Sequence, residues 1–283
     1  MNRITEEEVQ RDIETPDSIR VRFGVEFLEA NLADAAIAMS MPIAGLRNPF
    51  TGAPAVGLLA ILVDAAGGMS NHYRRRSDQW TVTTELTLEL SPAEWADVEK
   101  PVLARARPLG PVGGTTLSLC TLSLGGTVIG AGAVRSYFIP AEGRRVQRPA
   151  DSYRGSTRQL SDLMGVDVDS CGDGTSVLRQ RVDPDLNNEI GIMHGGVAAA
   201  GLELTASAAI NADQPGDPLR TASLRVNFLR PFIAGHNSRY VGTPLRIGRT
   251  GRFHHRCCTG PGPLARGHVR RTRREHRRGG HLP

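Results

Sequence analysis

A histidine followed by two glycines, His194-Gly195-Gly196, opens the most apolar stretch in the second half of the chain. From His194 to Ile210 the segment contains one further ionisable side chain, Glu203. The run of alanines and leucines predicts a buried helix that begins at the glycines. The first backbone N–H groups of a helix have no partner within it and carry partial positive charge. They therefore suit an oxygen that gains negative charge during a reaction.

Glu203 falls about two and a half turns into this helix, at roughly 3.6 residues per turn. A carboxylate in apolar surroundings is costly unless it is paired or partly protonated, so its position needs a reason. One interpretation is a general base or nucleophile that works with the amides at the start of the helix. The other is a structural carboxylate, satisfied internally or turned to solvent. These residues alone leave both open.

The chain repeats itself at an offset of 139 residues, and the two acids fall at the same place in each repeat. The matched pairs are Asn48 with Asn187, Gly52 with Gly191, Gly57 with Gly196, Ala60 with Ala199, and Asp64 with Glu203. The strands that follow match at an offset of 138, which places Leu86, Leu88 and Leu90 on Leu224, Val226 and Phe228. Such self-similarity predicts two structural units in one chain.

Each repeat has the pattern of a strand, a long buried helix and then further strands. In the first repeat residues 54–73 read as the helix, 81–91 and 101–109 alternate as strands, and 114–139 reads as a hairpin that turns at Gly125-Gly126. A helix that is apolar all round must be wrapped by a sheet. The pattern therefore predicts an α+β protein with one continuous antiparallel sheet and two central helices. We divide it into units at 1–150 and 151–251, joined by a polar linker over 141–159.

Charge is concentrated in residues 252–283, which hold nine of the arginines, five of the eight histidines and one glutamate. This tail contributes +8 to the net charge of +5, which leaves residues 1–251 at −3. The high overall pI is therefore no argument for nucleic acid as a partner of the fold, and none is expected. No apolar run is long enough to cross a bilayer, the polar start is no signal peptide, and the four cysteines form no C-x-x-C pair. A cytoplasmic location with reduced cysteines is expected.

The tail lacks strand alternation, so the second unit is expected to be incomplete at its C-terminus. Three interpretations compete: a basic tail that binds an acidic partner, a solvated end without a role, and a reading-frame shift near residue 252 in a GC-rich gene. We favour the frame shift, because the chain holds a single lysine, Lys100, and the tail is rich in Arg, Gly, Pro and His. Resequencing tests it.

These residues resemble the hotdog-fold acyl-CoA thioesterases of the phenylacetate-pathway and hydroxybenzoyl-CoA type. The motif carrying the resemblance is Asn188, His194-Gly195-Gly196 and Glu203, followed by the run 227–231, NFLRP. The resemblance covers about residues 20–250 and implies a double hotdog. It also implies that the Gly195 N–H polarises the thioester carbonyl, that Glu203 acts as base or nucleophile, that Asn188 positions water or substrate and that His194 orders the loop.

The resemblance further implies that a hydroxyl from the neighbouring unit completes the site, and Thr83 is the expected residue. The first half departs from the motif, since it has Ala55-Val56-Gly57 in place of the histidine and glycines and Pro49 at the asparagine position. A degenerate site is expected there, with Asp64 retained for structure or weak activity and Thr221 as its partner.

Coenzyme A is expected to contact Arg230 and the backbone of Gly196. Arg74-Arg75-Arg76 is either a phosphate contact or a solvated charge run, and we favour the latter. Trp80 and Tyr73 are expected in the core or at its rim, and His72 at the surface.

The leading functional hypothesis is hydrolysis of an acyl-CoA, with coenzyme A as part of the substrate and no cofactor. The alternatives are an acyl-CoA-binding or inactive hotdog protein, and a hotdog hydratase or dehydratase, which favours an Asp–His pair. A homodimer of such chains is allowed. The acyl group cannot be read from the sequence, because apolar pockets select by shape.

Overall fold

The structure is a computed structural model that describes residues 4–91, 99–141, 159–172, 174–212, 219–235 and 237–244, and the backbone of two strands between 255 and 272. Its helices are α1 (Glu6–Glu14), α2 (Ser18–Phe23), α3 (Leu59–His72), α4 (Leu160–Leu163) and α5 (Gly195–Asn211). The strands are β1 (Glu26–Asn31), β2 (Ala36–Met41), β3 (Gln79–Leu90), β4 (Val102–Leu109), β5 (Thr115–Leu124), β6 (Thr127–Pro140), β7 (Val166–Gly172), β8 (Thr175–Gln180), β9 (Arg220–Phe228), β10 (Arg239–Pro244), β11 (His255–Cys258) and β12 (Ala265–Thr272).

The two long helices α3 and α5 lie at the centre of the core. Residues 59–63 of α3 are fully buried, and every residue of α5 after Gly195 is buried. A helix that is buried on all sides has no polar face, which is why both segments read as continuously apolar. Glycine lets the two helices touch, since a Cβ atom at Gly196 would lie 2.5 Å from the Cα of Ile61.

The strands wrap these helices in two sheets. One has the order β1-β2-β4-β5-β6-β3-β9-β12 and the other β11-β10-β8-β7. The halves meet where β3 pairs with β9, with Leu86 opposite Val226 and Leu88 opposite Leu224. Between these pairs Thr87 lies opposite Arg225. Because the two strands are antiparallel and their pairing is centred on one residue pair, a local twofold axis relates them.

Each half arranges its strands in the same sequence around its own helix. In the first half β2, β4, β5, β6 and β3 follow β1, and in the second β8, β10 and β11 follow β7, while β12 pairs with β9. The turn at Gly125-Gly126 joins β5 to β6, and both glycines have positive φ, as a two-residue hairpin turn requires. The predicted α+β double hotdog is therefore confirmed.

The expectation that no strand follows Gly251 is wrong. Strand β11 pairs with β10, and β12 pairs with β9 from Phe228 to Arg220. The physical reason is that ladder hydrogen bonds use backbone groups, so an extended segment can cover an open sheet edge without alternating side chains. The predicted linker lies largely outside the described residues, as do the remaining parts of the tail.

Candidate active site

The start of α5 is held by its own histidine. His194 is the N-cap residue, and its Nδ1 accepts a hydrogen bond from the backbone N–H of Gly196 at 3.2 Å. The Gly195 N–H has no hydrogen-bond partner among the residues that the structure describes. This leaves one helix-start amide available to an incoming oxygen.

The carboxylate beside these amides belongs to Asp64 of the first half. Its Oδ2 accepts from the Gly196 N–H at 2.7 Å, and its Oδ1 accepts from the Thr83 hydroxyl at 2.8 Å. Oδ2 also lies 3.4 Å from His194 Nδ1, and the side chain is only 5% exposed. The two hydrogen bonds hold a buried charge in one orientation. The site is thus built across the interface of the two halves.

A cavity of about 340 Å³ opens at this point. Of the predicted site residues, Asp64, Thr83, Asn188, His194, Gly195 and Arg230 line it. Apolar side chains form much of the remaining wall, among them Met39, Met69 and Phe228. The arrangement can take an apolar group and present one carboxylate and one free amide to it.

Asn188 shapes the loop that leads into α5. Its Oδ1 accepts from the backbone N–H groups of Ile190 and Ile192, both at 3.1 Å. In the first half, Asn48 makes the corresponding turn and accepts from the N–H of Phe50 at 2.9 Å. The expectation that Pro49 replaces this asparagine is therefore wrong, because one extra residue in the first loop moves the matching position to Asn48.

Glu203 lies elsewhere, and the expected pairing with Gly195 is wrong. It does not line the cavity, and eight residues of helix separate it from Gly195, about 12 Å at 1.5 Å per residue. Its carboxylate is 2% exposed and accepts a hydrogen bond from the Thr221 hydroxyl. It packs on Gly57, where a Cβ atom would lie 2.5 Å from Oε2.

The partners of the two acids are therefore the reverse of those expected. Thr83 was expected beside Glu203 and Thr221 beside Asp64, whereas each threonine binds the acid of its own half. Because α3 and α5 lie side by side, Asp64 contacts Gly196 at the start of α5, and Glu203 contacts Gly57 just before α3. The complete motif of the second half thus surrounds Asp64, and the degenerate loop of the first half surrounds Glu203.

The expected solvated charge run is right for Arg76, which is exposed, and wrong for Arg75, which is buried. Arg74 donates to the Thr116 hydroxyl at 2.9 Å, Arg76 pairs with Asp78 at 3.1 Å, and Arg75 is buried 3.8 Å from Glu8. By contrast, Arg230 is exposed at the rim of the cavity.

His72 is buried, so the expectation of a surface residue is wrong. It is 8% exposed, and its Nδ1 lies 2.8 Å from the Thr81 hydroxyl while its ring packs edge-on against Trp80. Burial, followed by the charge of Arg75, holds the pKa of His72 well below 6.5. The ring is neutral at physiological pH.

Sequence reasoning missed the two N-terminal helices that cover the cavity. Asp12, Thr15, Ile19 and Arg20 line it. Arg20 ties α2 to α1 by donating to the carbonyl of Asp12 at 2.7 Å. A signal was available, because a threonine followed three residues later by a glutamate, Thr5-x-x-Glu8, forms the capping box that starts α1.

None of the described helices is long and apolar enough to cross a membrane. No group of three histidines, cysteines or carboxylates in the described part of the chain is arranged to bind a metal ion. Cys120 is buried, and burial raises the pKa of its thiol to about 12, so it is not a reactive thiolate.

Comparisons with known proteins agree with the fold. A sequence-family model described as Thioesterase superfamily matches residues 190–252. No curated protein matches the sequence of the chain at a significant level. Among solved structures, the acyl-CoA thioesterase II TesB2 of Mycobacterium marinum is similar over 90% of this chain and 98% of its own, with a TM-score of 0.56 and 14% identity.

Two further solved structures show the same likeness. The TesB protein of Mycobacterium avium subs paratuberculosis covers 88% of this chain and 96% of its own, with a TM-score of 0.54 and 12% identity. An acyl-ACP thioesterase of Bacteroides thetaiotaomicron covers 85% and 99%, with a TM-score of 0.53 and 11% identity. The resemblance to hotdog thioesterases is thus confirmed, by sequence in the second half and by fold over most of the chain.

Proposed function

We propose that this protein hydrolyses the thioester bond of an acyl-CoA, with Asp64 as the acid at the reacting carbonyl. One observation carries the proposal: a buried carboxylate and an unpartnered helix-start amide face the same cavity, at the motif matched by the thioesterase family model. Water is the only other reactant, and coenzyme A enters as part of the substrate.

The Gly195 N–H would polarise the thioester carbonyl. Attack on that carbon moves an electron pair onto its oxygen, and an amide fixed at a helix start stabilises the resulting charge. Removal of one such donor typically costs about 10²–10³ in rate. Glycine is needed here for a steric reason as well, because a Cβ at position 195 would lie 2.8 Å from Asp64 Oδ2.

Asp64 can act in either of two ways. As a general base it takes a proton from a water that attacks the carbonyl; as a nucleophile it attacks directly and forms an anhydride that water then opens. In both routes the thiolate of coenzyme A leaves and is protonated. The hydrogen bonds from Gly196 and Thr83 fix the carboxylate for either route.

Coenzyme A would lie at the exposed side of the cavity. Asn227 pairs with Glu85, so the chain that follows it leaves the sheet beside Thr83, and there Leu229 and Arg230 are exposed. An exposed guanidinium suits the phosphates of coenzyme A. Gly196 now has a different role from the expected contact with coenzyme A, since its N–H is bound to Asp64.

A panel of acyl-CoA esters tests the proposal. The full chain is incubated with short-chain, long-chain and aryl esters, and release of free coenzyme A is followed with a thiol reagent. Oxygen esters of the same acyl groups serve as controls. Saturable thiol release supports the proposal; tight binding of every ester without turnover would favour the non-catalytic alternative instead.

The Asp64–His194 proximity favours a hydratase as the second candidate. A carboxylate and an imidazole 3.4 Å apart are the pair that such chemistry uses. However, Nδ1 of His194 already accepts a hydrogen bond from Gly196. Hydration of crotonyl-CoA, measured as loss of its enoyl absorbance without thiol release, separates the two reactions.

A further inference from the structure

An extra residue interrupts strand β3 beside the cavity. In the pairing of β3 with β6, Thr83 lies opposite Ser136. Glu85 lies opposite the next residue of β6, Arg135, so Thr84 has no opposite residue. Such an insertion is a β-bulge, which bends the strand that carries it and can end its pairing with a neighbouring strand. Thr84 also lines the cavity.

The bulge changes which side chains of β3 face α3. Leu86 and Leu88 are fully buried on the inner face of the strand. Regular alternation would place Thr84 on that face as well. Because Thr84 is the extra residue, Thr83 takes the inner face instead and donates its hydroxyl to Asp64. The bulge thus aims the Thr83 side chain at the carboxylate.

The bulge also lies where β3 and β9 separate. Their ladder ends at the pair of Glu85 with Asn227, next to the bulge. Beyond this pair β3 continues against β6 alone, and residues 80–84 and 228–232 both line the cavity. Since Leu229 is 54% exposed, the gap between these two segments is on the exposed side. We call this gap the entrance of the cavity.

The second half repeats this arrangement at the other end of the ladder. In the pairing of β9 with β12 the extra residue is Ala222, which the offset of 138 places on Thr84. The ladder ends beside it, at the pair of Glu89 with Ser223. A bulge therefore stands at each end of the ladder, and of the two extra residues only Thr84 lines the cavity.

Two side-chain contacts hold the bulge of β3 in place. The Thr84 hydroxyl donates to the carbonyl of Arg135 at 3.2 Å. The guanidinium of Arg135 in turn donates to the Glu85 carboxylate at 3.0 Å. The alanine at the equivalent position of β9 cannot make the first contact. That contact is therefore particular to the bulge that borders the entrance.

Resting on the proposed thioesterase function, we infer that Thr84 is a positioning residue that holds the entrance open. Its extra backbone unit ends the β3–β9 ladder at Glu85, and its hydroxyl fixes the bend. Without the extra residue, β3 would run straight on, and its free backbone groups would pair with Phe228 and Leu229 across the entrance. Thr84 takes no part in bond cleavage.

Deletion of Thr84 tests the inference, and deletion of Ala222 is the matched control. Removal of Thr84 leaves Thr83 opposite Ser136, so Asp64 keeps its hydroxyl partner and the loss should appear in KM more than in kcat. If the substrate must break about two new ladder hydrogen bonds to enter, KM for acyl-CoA hydrolysis should rise about ten-fold to a hundred-fold.

Binding is measured separately with S-decyl-coenzyme A and S-benzyl-coenzyme A, thioethers that have no carbonyl to attack. Deletion of Thr84 should weaken the binding of the thioether that the wild type prefers by the same factor. Deletion of Ala222 removes the equivalent bulge away from the cavity, so KM and thioether affinity should stay close to the wild-type values. Chemical denaturation of both deletion variants shows whether each is folded.

Substitutions at Thr84 test the role of its hydroxyl. Thr84→Val keeps the extra residue but loses the bond to Arg135, so KM should rise about two-fold to ten-fold. Thr84→Ser, which keeps the hydroxyl, should recover most of this loss. Should the Thr84 deletion variant not fold, an unchanged KM in Thr84→Val would overturn the inference.

The outcomes separate this inference from the function on which it rests. Equal KM and equal thioether affinity in the two deletion variants would overturn the inference and leave the thioesterase function standing. A wild type that binds a thioether but hydrolyses no acyl-CoA would overturn the function, and the thioether affinities of the deletion variants would still decide the inference. A wild type that binds neither thioether and hydrolyses no ester would overturn both.

Discussion

Substitution of the two buried acids by their amides distinguishes the two halves of the molecule. Asp64→Asn removes the negative charge beside Gly195 while one oxygen remains to accept from Gly196. Glu203→Gln makes the same chemical change at the carboxylate bound to Thr221, outside the cavity. Both substitutions change a buried acid at an equivalent position of the repeat into its amide, and only Asp64 faces the cavity.

The expected loss at Asp64 follows from its role. General-base catalysis contributes about 10²–10⁴ to a rate, so kcat for acyl-CoA hydrolysis by Asp64→Asn should fall by at least that factor. The fall should appear mainly in kcat, because the amide fills the same space and leaves the cavity wall unchanged. Glu203→Gln should retain wild-type kcat and KM within the error of the assay.

Unfolding measurements show whether a variant loses activity only because less of it is folded. Each acid accepts a charge-assisted hydrogen bond, worth about 1.5–3 kcal/mol, and an amide keeps part of it, so both variants should unfold at somewhat lower denaturant concentration. Thiol release and unfolding are measured on the same preparations. An inactive Glu203→Gln together with an active Asp64→Asn would refute the assignment of the acids and restore the arrangement expected from the sequence.

Three further outcomes are expected. Gly196→Ala should lower the free energy of unfolding by about 1–3 kcal/mol, because its Cβ would meet the backbone of Ile61. Gly68→Ala, whose Cβ would meet only Asp64 Oδ1 at 3.8 Å, should not, and equal losses in chemical denaturation would contradict this reasoning. The lowered pKa of His72 means that the unfolded chain binds a proton that the folded one does not. Stability should therefore fall by about 1.4 kcal/mol per pH unit below pH 6.5, and denaturation of His72→Phe should lack this contribution. Deletion of residues 253–283 removes β11 and β12 and leaves β9 and β10 with open edges, so size-exclusion chromatography should show self-association. A monodisperse truncated protein would contradict that expectation.

Local sequence patterns predicted most of the secondary structure. The apolar runs at residues 54–73 and after His194 became α3 and α5, and the glycine pair at 125–126 became the hairpin turn. These features depend on side-chain periodicity and backbone conformation within a few residues, which is why a single sequence reveals them. The covering of the sheet edges by residues 255–272 did not follow, since pairing there uses backbone groups.

The offset between the repeats also predicted which residues of the two halves are equivalent. It identified Asp64 and Glu203 as equivalent, and Thr83 and Thr221 as candidate hydroxyl partners. The offset did not predict that Asp64 lies beside the loop of the second half and Glu203 beside the loop of the first. Linear proximity favoured Glu203, because it follows the His194-Gly195-Gly196 motif on the same helix.

The amino-acid sequence by itself determined the double hotdog, the site motif and the set of residues from which a site is made. Only the tertiary structure decided that Asp64 completes the motif of the second half and that His72 faces the cavity interior. The physical reason is that a carboxylate two turns into a helix cannot bend back to the start of its own helix. It reaches instead the start of the helix packed alongside, a contact that the order of residues does not encode.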